Sequence, residues 1–480
     1  MLLMVVAVVV LLVLFLRQVP KTYPLAATPI SPPTADALGA GLEGFDSPYL
    51  GHTGSWNGKG GGLGGGTKEN AMDQERAMGL RWTFMPVYWR ALEPDGPADL
   101  SGQVPPAWTA LDAFVIQAQR RGLNILMQAP VVGGNAGGPP LWAGRREKGK
   151  SAPANMEALA DFAGKLAERY RPGGTLARRE GWGHRFGVRA WEMDNEPESY
   201  LTHWKGQAPA YAEFVILSAQ RIKRADPQAV MVGPGMSAGK GGLAWLALAL
   251  DPATNSLPSA AGPHGSFCSL GQALDAVSFH DYEGLDSAFS GGPRTIAQVF
   301  EDVRAVFEQH EHPATPASYS RKQEYWHTEG NFDFLGLLSA ERRAAWRFQW
   351  FARAFAAGIR KVCVMDASSR EQVAVRAFVT TLPNPFPMLL ATNEVVVLRG
   401  QAMAFRHPDG PRPDAGQVWV LWALAGTGDA LVEIPVLRPS AQMISVTGTT
   451  NSLVAQKGRV RIELKGDAKM APSVLVVDRP

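Results

Sequence analysis

Apolar residues along this chain follow two rhythms. Short, nearly continuous apolar runs (LEGFD, LRWTFMPV, LNILMQAP, VRAWEMDN, AVMVGP, DAVSFH, QEYWHTEG and KVCVMDAS) alternate with longer segments whose apolar positions recur every three or four residues. AWTALDAFVIQAQRRG, MEALADFAGKLAERY, YAEFVILSAQRIKRA, IAQVFEDVRAVFEQH and RRAAWRFQWFARAFAAG are of the second kind. The runs predict buried strands and the periodic segments amphipathic helices, and helices between strands imply parallel pairing. Eight such units predict a (β/α)8 TIM barrel with long loops over residues 40–400. Beyond Gly400 the rhythm changes to alternating runs, QAMAFR, QVWVLWAL, ALVEIPVL, MISVTG, RVRIEL and SVLVVD, separated by Gly, Asp and Pro. These predict an all-β sandwich over residues 401–480 that braces the barrel.

The first sixteen residues, MLLMVVAVVVLLVLFL, are all apolar and are followed by Arg17 and Lys21. They predict an uncleaved signal anchor within residues 1–22, then a Pro-rich tether over 23–39, with the rest on the periplasmic or extracellular face of a membrane. The charges that follow the run argue for the opposite orientation, a conflict that a start codon assigned too late would remove. Composition adds little: 46% apolar and 19% charged residues describe a globular chain, and a net charge of +3 gives no electrostatic case for nucleic acid. The basic run RREKGK lacks interleaved aromatics and reads as a solvated loop. Cys268 and Cys363 fall in different elements, and no bridge between them is expected.

In such a barrel the chemistry sits at the carboxyl ends of the strands. The fourth run ends in Asn195-Glu196-Pro197 and the seventh in Thr328-Glu329, so two carboxyl groups 133 positions apart can face each other across the mouth. Glycoside hydrolysis needs that arrangement, one carboxylic acid protonating the departing oxygen while a carboxylate attacks the sugar carbon. The stretch WEMDNEPESY also carries acidic residues at alternate positions, which share one face of a strand. The alternation predicts Glu196 at the substrate, Asp194 and Glu192 progressively deeper in the barrel, and Glu198 beyond the strand. The field of the deeper pair would favour a protonated Glu196.

WEMDNEP followed by HTEG resembles clan A of the glycoside hydrolases. WRALEPDG, after the second run, and VSFHDY, on the sixth, are similar to turns and strands of family 39 and its bacterial relatives, including PslG-type exopolysaccharide glycosidases. The matches extend over most of residues 40–400. The resemblance implies a retaining glycosidase, endo-acting on a bacterial exopolysaccharide, or alternatively an exo-acting β-xylosidase-like enzyme, in either case without metal or organic cofactor. It makes Glu196 the acid/base, Glu329 the nucleophile, Asn195 a ligand of the sugar hydroxyl and Tyr282 a donor to Glu329, with His280 against substrate or Glu196. Trp89, Trp204 and Trp326, with Trp56, Tyr88, Trp142 and Phe332, are candidates to stack on sugar rings. The implied partners are a polysaccharide or oligosaccharide, the membrane and an exopolysaccharide export machinery. The chain departs from the family pattern at Asp194, where a Trp is frequent, at Phe84, where an Arg is usual, and in an eighth run without an aromatic platform.

Other patterns compete. Gly235-Met236-Ser237-Ala238-Gly239 matches the nucleophile elbow of a serine esterase, with Asp275 or Asp281 and His327 as partners. A silent barrel that binds polysaccharide is the non-enzymatic alternative. GKGGGLGGGTK lacks the phosphate-loop spacing and reads as a loop above the first strand, and His310-Glu311-His312 reads as a solvated helix end.

Overall fold

The computed structural model describes residues 44–479 apart from 53–64, 133–137, 147–151, 200–203, 205–206, 252–268, 283–293, 311–323, 331–337, 366, 410–415 and 469. The expected anchor and tether, Trp56, Cys268 and Phe332 lie outside the described residues. Among the described residues, no helix is long and apolar enough to cross a membrane.

The eight runs form one parallel sheet: β1 (Tyr49–His52), β2 (Trp82–Tyr88), β3 (Asn124–Val131), β4 (Ala190–Glu192), β5 (Val230–Ser237), β6 (Ala276–His280), β7 (Glu324–Glu329) and β8 (Lys361–Met365). After them in turn come α1 (Gly65–Ala77), α2 (Pro106–Arg120), α3 (Met156–Tyr170), α4 (Ala208–Ala225), α5 (Lys240–Leu250), α6 (Ile296–His310), α7 (Ala340–Ala357) and α8 (Ser369–Thr381). The sheet runs from β2 through β3 to β8 and on to β1, a nearly closed barrel. At the remaining seam a β-carbon on Gly51 would lie 2.5 Å from the Trp82 carbonyl oxygen, so only glycine lets β1 approach β2. The first strand lies later than LEGFD predicts. Gly44, at φ +79°, opens a turn closed by Ser47 N–H on the Gly44 carbonyl, and pairing starts only after Pro48.

Both sheet faces are covered, which is why the runs are apolar throughout. Trp191 and Met193 point out into the helix layer, whereas Leu50, Trp82, Phe84, Leu126, Ala190, Val232, Trp326 and Cys363 fill the barrel interior. The bottom is closed by Lys361, whose Nζ donates to the carbonyls of Phe45 (2.6 Å) and Ser47 (2.9 Å) and lies over the rings of Trp82 and Trp326 at 4.6 and 5.0 Å. Burial pushes this ammonium down to about 8.

The sandwich contains β9 (Leu389–Leu390), β10 (Val396–Arg399), β11 (Ala402–Pro408), β12 (Gln417–Ala423), β13 (Ala430–Pro435), β14 (Ser440–Ser445), β15 (Thr450–Val454), β16 (Arg459–Leu464) and β17 (Ser473–Asp478). They form sheets ordered β10-β13-β16 and β15-β14-β17-β12-β11-β9. Since β9 and β10 pair here, the junction falls after α8, ahead of the expected boundary at Gly400. β12 is buried along its whole length. Trp419 and Leu421 face the other sheet, and Val418, Val420 and Trp422 face the barrel. The contact is made on α7: Gln349 donates to Ala471 O, Ser473 to Ala345 O, Arg342 pairs with Asp467, and Arg353 lies over Trp422.

Candidate active site

β4 stops at Glu192, and the chain then turns sharply. Asp194 and Glu196 take φ of +63° and +40°, a left-handed conformation that costs a non-glycine residue about 1–3 kcal/mol and persists only where its surroundings impose it. Hydrogen bonds supply the constraint. Met193 N–H donates to Val232 O and Glu196 N–H to Gly235 O, both at 3.0 Å. The fully buried Asp194 carboxylate accepts from Val132 N (3.2 Å), Asn195 N (2.8 Å) and Trp204 Nε1 (2.5 Å). The expected alternation therefore ends early: Glu192 stays inside the barrel, but the positive φ turns Asp194 into a clamp under the loop. Glu198 remains beside the site, accepting from Ser237 N at 2.9 Å. Burial first, and the Glu196 charge second, push its carboxyl up to about 8.

The turn delivers Glu196 to the mouth, facing Glu329 at the end of β7. A carboxylate oxygen of each, together with a ring nitrogen of His280 from β6, all lie within 4.8 Å of one another. Glu196 keeps a quarter of its side chain exposed (25%), whereas Glu329 keeps 5%. His280 Nδ1 is 3.1 Å from Glu196 Oε1 and 3.9 Å from Glu329 Oε2, and the Tyr282 hydroxyl donates to Glu329 Oε1. Burial disfavours a cationic His280, but Glu329, Glu196 and Glu192 outweigh it and raise the imidazole to about 9. Burial raises the Glu329 carboxyl, as does Glu196, while His280 and the Tyr282 hydroxyl oppose them. The cluster has the donor types of a cation site, but hydrogen bonds among its own members already occupy Glu196 Oε1 and Glu329 Oε1.

Asn195 lies beside Glu196, half-buried, its Oδ1 accepting from Gln128 Nε2 at 3.1 Å. Gln128 also donates to Glu192 Oε2 at 3.1 Å. Sequence reasoning passed over Gln128, although an amide inside the apolar run LNILMQAP, three residues from the end of β3, was a usable signal. Tyr88, at the end of β2, had been a stacking candidate only. Its hydroxyl is raised from its ordinary value by burial and then by the charges of Asp194 and Glu329.

The three tryptophans expected to stack on sugar are buried instead. Trp204 donates to Asp194 and packs on Phe214 of α4, with ring centroids 5.3 Å apart. Trp326 sits at the barrel bottom with Lys361, because it lies three positions before the end of β7. Trp89 packs against Trp142 and Phe162 and donates to Glu93 Oε2. Glu93 also accepts from Ala98 N and Lys165 Nζ, so WRALEPDG is a structural knot. Phe84, at the position where the family usually carries an Arg, points into the barrel core. The elbow reading fails geometrically: Ser237 pairs with Glu198 through its amide, and His327 is sealed between Phe279 and Trp350.

Compared by sequence, the chain matches no protein-family model and no curated protein. Compared by structure, it is similar to a family 39 glycoside hydrolase from the gut symbiont Bacteroides cellulosilyticus (TM-score 0.58, 14% identity, 86% of this chain and 78% of that one). The fold is that of the clan A glycoside hydrolases. A family 39 β-xylosidase from Caulobacter crescentus aligns at TM-score 0.54 and 15% identity over 90% of this chain and 96% of its own. AbfB, a family 51 α-L-arabinofuranosidase from Bifidobacterium longum, aligns at 0.55 and 12% over 93% and 98%. At these identities the likeness concerns the fold, and function rests on the site.

Proposed function

We propose that the protein is a retaining glycoside hydrolase in which Glu329 attacks the anomeric carbon and Glu196 protonates the leaving oxygen. The observation that carries this reading is the pair of carboxylates on opposite walls of one barrel mouth, with oxygens within 4.8 Å. Double displacement requires carboxyl groups about 5–5.5 Å apart, while inversion needs about 6.5–9.5 Å to admit water between them.

The surroundings divide the roles. Glu329 is the buried member; the Tyr282 hydroxyl donates to it, and the His280 ring, hydrogen-bonded to Glu196, stands 3.9 Å away as a nearby charge, surroundings that hold an attacking carboxylate in one rotamer. Glu196 is the accessible member, on the side from which a leaving group departs and water later enters. Double displacement by these roles requires the proton on Glu196 and none on Glu329 when the substrate binds. After the glycosyl ester forms on Glu329, Glu196 takes a proton from the incoming water and the sugar leaves with its anomeric configuration kept. The hydroxyl next to the reacting carbon is assigned to Asn195, a role supported by its position beside Glu196 and its hydrogen bond from Gln128.

The substrate proposed is a bacterial exopolysaccharide or related glycan, cut internally, by an exported protein tethered through residues 1–22. Family resemblance and the apolar run support this part. With Trp89, Trp204 and Trp326 buried, stacking aromatics no longer do. The decisive experiment incubates the protein with purified exopolysaccharides, plant glycans and aryl glycosides and follows new reducing ends. Glu329→Gln and Glu196→Gln should each abolish release, and NMR of the first-formed product should show retained configuration. Inverted product, or full activity in Glu329→Gln, would overturn the mechanism.

A further inference from the structure

One carboxylate inside the barrel has no task in the reaction just described. Glu192 is fully buried, its Oε2 is held by Gln128, and its Oε1 has no hydrogen-bond partner among the described residues. His280 is complementary: Nδ1 lies on Glu196, and Nε2 is buried with no hydrogen-bond partner among the described residues. Both atoms line the same small space. A β-carbon built on Gly235 would stand 3.1 Å from Glu192 Oε1 and 3.4 Å from His280 Nε2. Gly235 also takes φ of +59°, where a side chain is strained, so space and backbone both keep this position bare. Beside it, Ser278 Oγ accepts from Gly235 N at 2.8 Å. A carboxylate acceptor and a ring N–H facing one space over a bare α-carbon, with a hydroxyl alongside, meet the needs of one buried water.

We propose that a water seated over Gly235 bridges Glu192 Oε1 to His280 Nε2, making Glu192 the positioning residue that keeps His280 a two-proton donor aimed at Glu196. Its catalytic consequence rests on the glycosidase reading; the bridge itself does not. With it the polar groups form one run from Asn195 through Gln128, Glu192, water and His280 to Glu196, so the two residues that face the sugar are tied together from beneath. The titratable groups around the imidazole come from three segments. β4 and its turn supply Glu192, Glu196 and Glu198; β7 supplies Glu329 and His327; the imidazole's own segment supplies Asp281 and Tyr282. The cation favoured by these carboxylates agrees with a ring that must donate from both nitrogens.

The test is histidine ¹⁵N NMR on the full chain, with the His280 signals identified by their loss in His280→Asn. In the wild type both ring nitrogens stay protonated through neutral pH. In Glu192→Gln the midpoint falls by about one pH unit or more, and in Gly235→Ala, which displaces the water and keeps the charge, it falls by less. A Glu192→Gln midpoint equal to the wild-type one overturns the proposal. Folding of the variants does not limit the test, because a high-resolution crystal structure of the wild type must show a water within about 3.2 Å of both atoms; its lack there is equally fatal. On a hydrolysed aryl glycoside, Glu192→Gln should shift the basic limb of the kcat profile to lower pH with KM little changed, and a purely structural role would leave that limb in place. Should no glycoside be cleaved, the glycosidase reading falls while the NMR result still judges the bridge.

Discussion

Replacing Trp204 by Phe tests whether the β4 turn is held from below or merely lies under a sugar platform. The smaller ring keeps its stack on Phe214 and its edge contact with Tyr211, 5.3 and 5.7 Å between centroids. What it loses is the indole N–H that sits 2.5 Å from Asp194 Oδ2. A hydrogen bond to a charged group contributes about 1.5–3 kcal/mol, and the space left by the smaller ring costs about 1 kcal/mol more. The expected destabilisation is the sum, about 3 kcal/mol or somewhat above. Asp194 and Glu196 hold strained backbone that this bond helps to impose, so the loss should also let Glu196 drift from Glu329. Urea unfolding followed by far-UV circular dichroism measures the first effect, and kinetics on an aryl glycoside the second. The clamp predicts a lower unfolding midpoint and a lower kcat with KM nearly unchanged. A sugar platform predicts the reverse, KM rising while stability stays within about 0.5 kcal/mol, as exposed side chains behave; that outcome would refute the clamp.

Three further outcomes are expected. Tyr282→Phe removes the hydroxyl that opposes protonation of Glu329, so the acid limb of kcat/KM should move to higher pH and kcat should fall about 100-fold, both read from a pH–rate profile. His327 is buried and its imidazole is driven down to about 3, by burial first and by the His280 charge second. The unfolded chain, titrating near 6.5, then binds more protons than the native state between those values, so stability present above pH 6.5 is lost as pH falls. His327→Phe should show a shallower decline of its urea midpoint between pH 6.5 and 4, and parallel curves would contradict this. Lys361 gives the same sign in a higher window: with its ammonium near 8 in the fold and 10.5 as the free side chain, it makes stability rise with pH between these values. The rise should be smaller in Lys361→Met, as measured by urea unfolding at pH 8 and pH 10.

Much of the site was legible because catalytic side chains of a barrel sit at strand ends, and strand ends are local features. NEP, HDY and TEG each close an apolar run, and the structure brings Glu196, His280, Tyr282 and Glu329 to one mouth. The alternation failed at Asp194 because a non-glycine residue at positive φ leaves no mark in the sequence. The bend is imposed by Val132, Trp204, Val232 and Gly235, which come from other segments. The tryptophans failed for a related reason. A large ring with a polar edge suits a cleft and a core alike, and only its neighbours decide which it occupies.

The amino-acid sequence by itself determined the barrel followed by a sandwich and the order of strands and helices, because these follow from backbone periodicity and the burial of one or both faces. The tertiary structure alone decided that Glu192 and His280 share a space over Gly235, that Asp194 is a clamp, and that Lys361 closes the barrel beneath three aromatic rings. Those contacts join residues tens to hundreds of positions apart, and closure of the sheet, which no local pattern records, is what brings them within hydrogen-bonding reach.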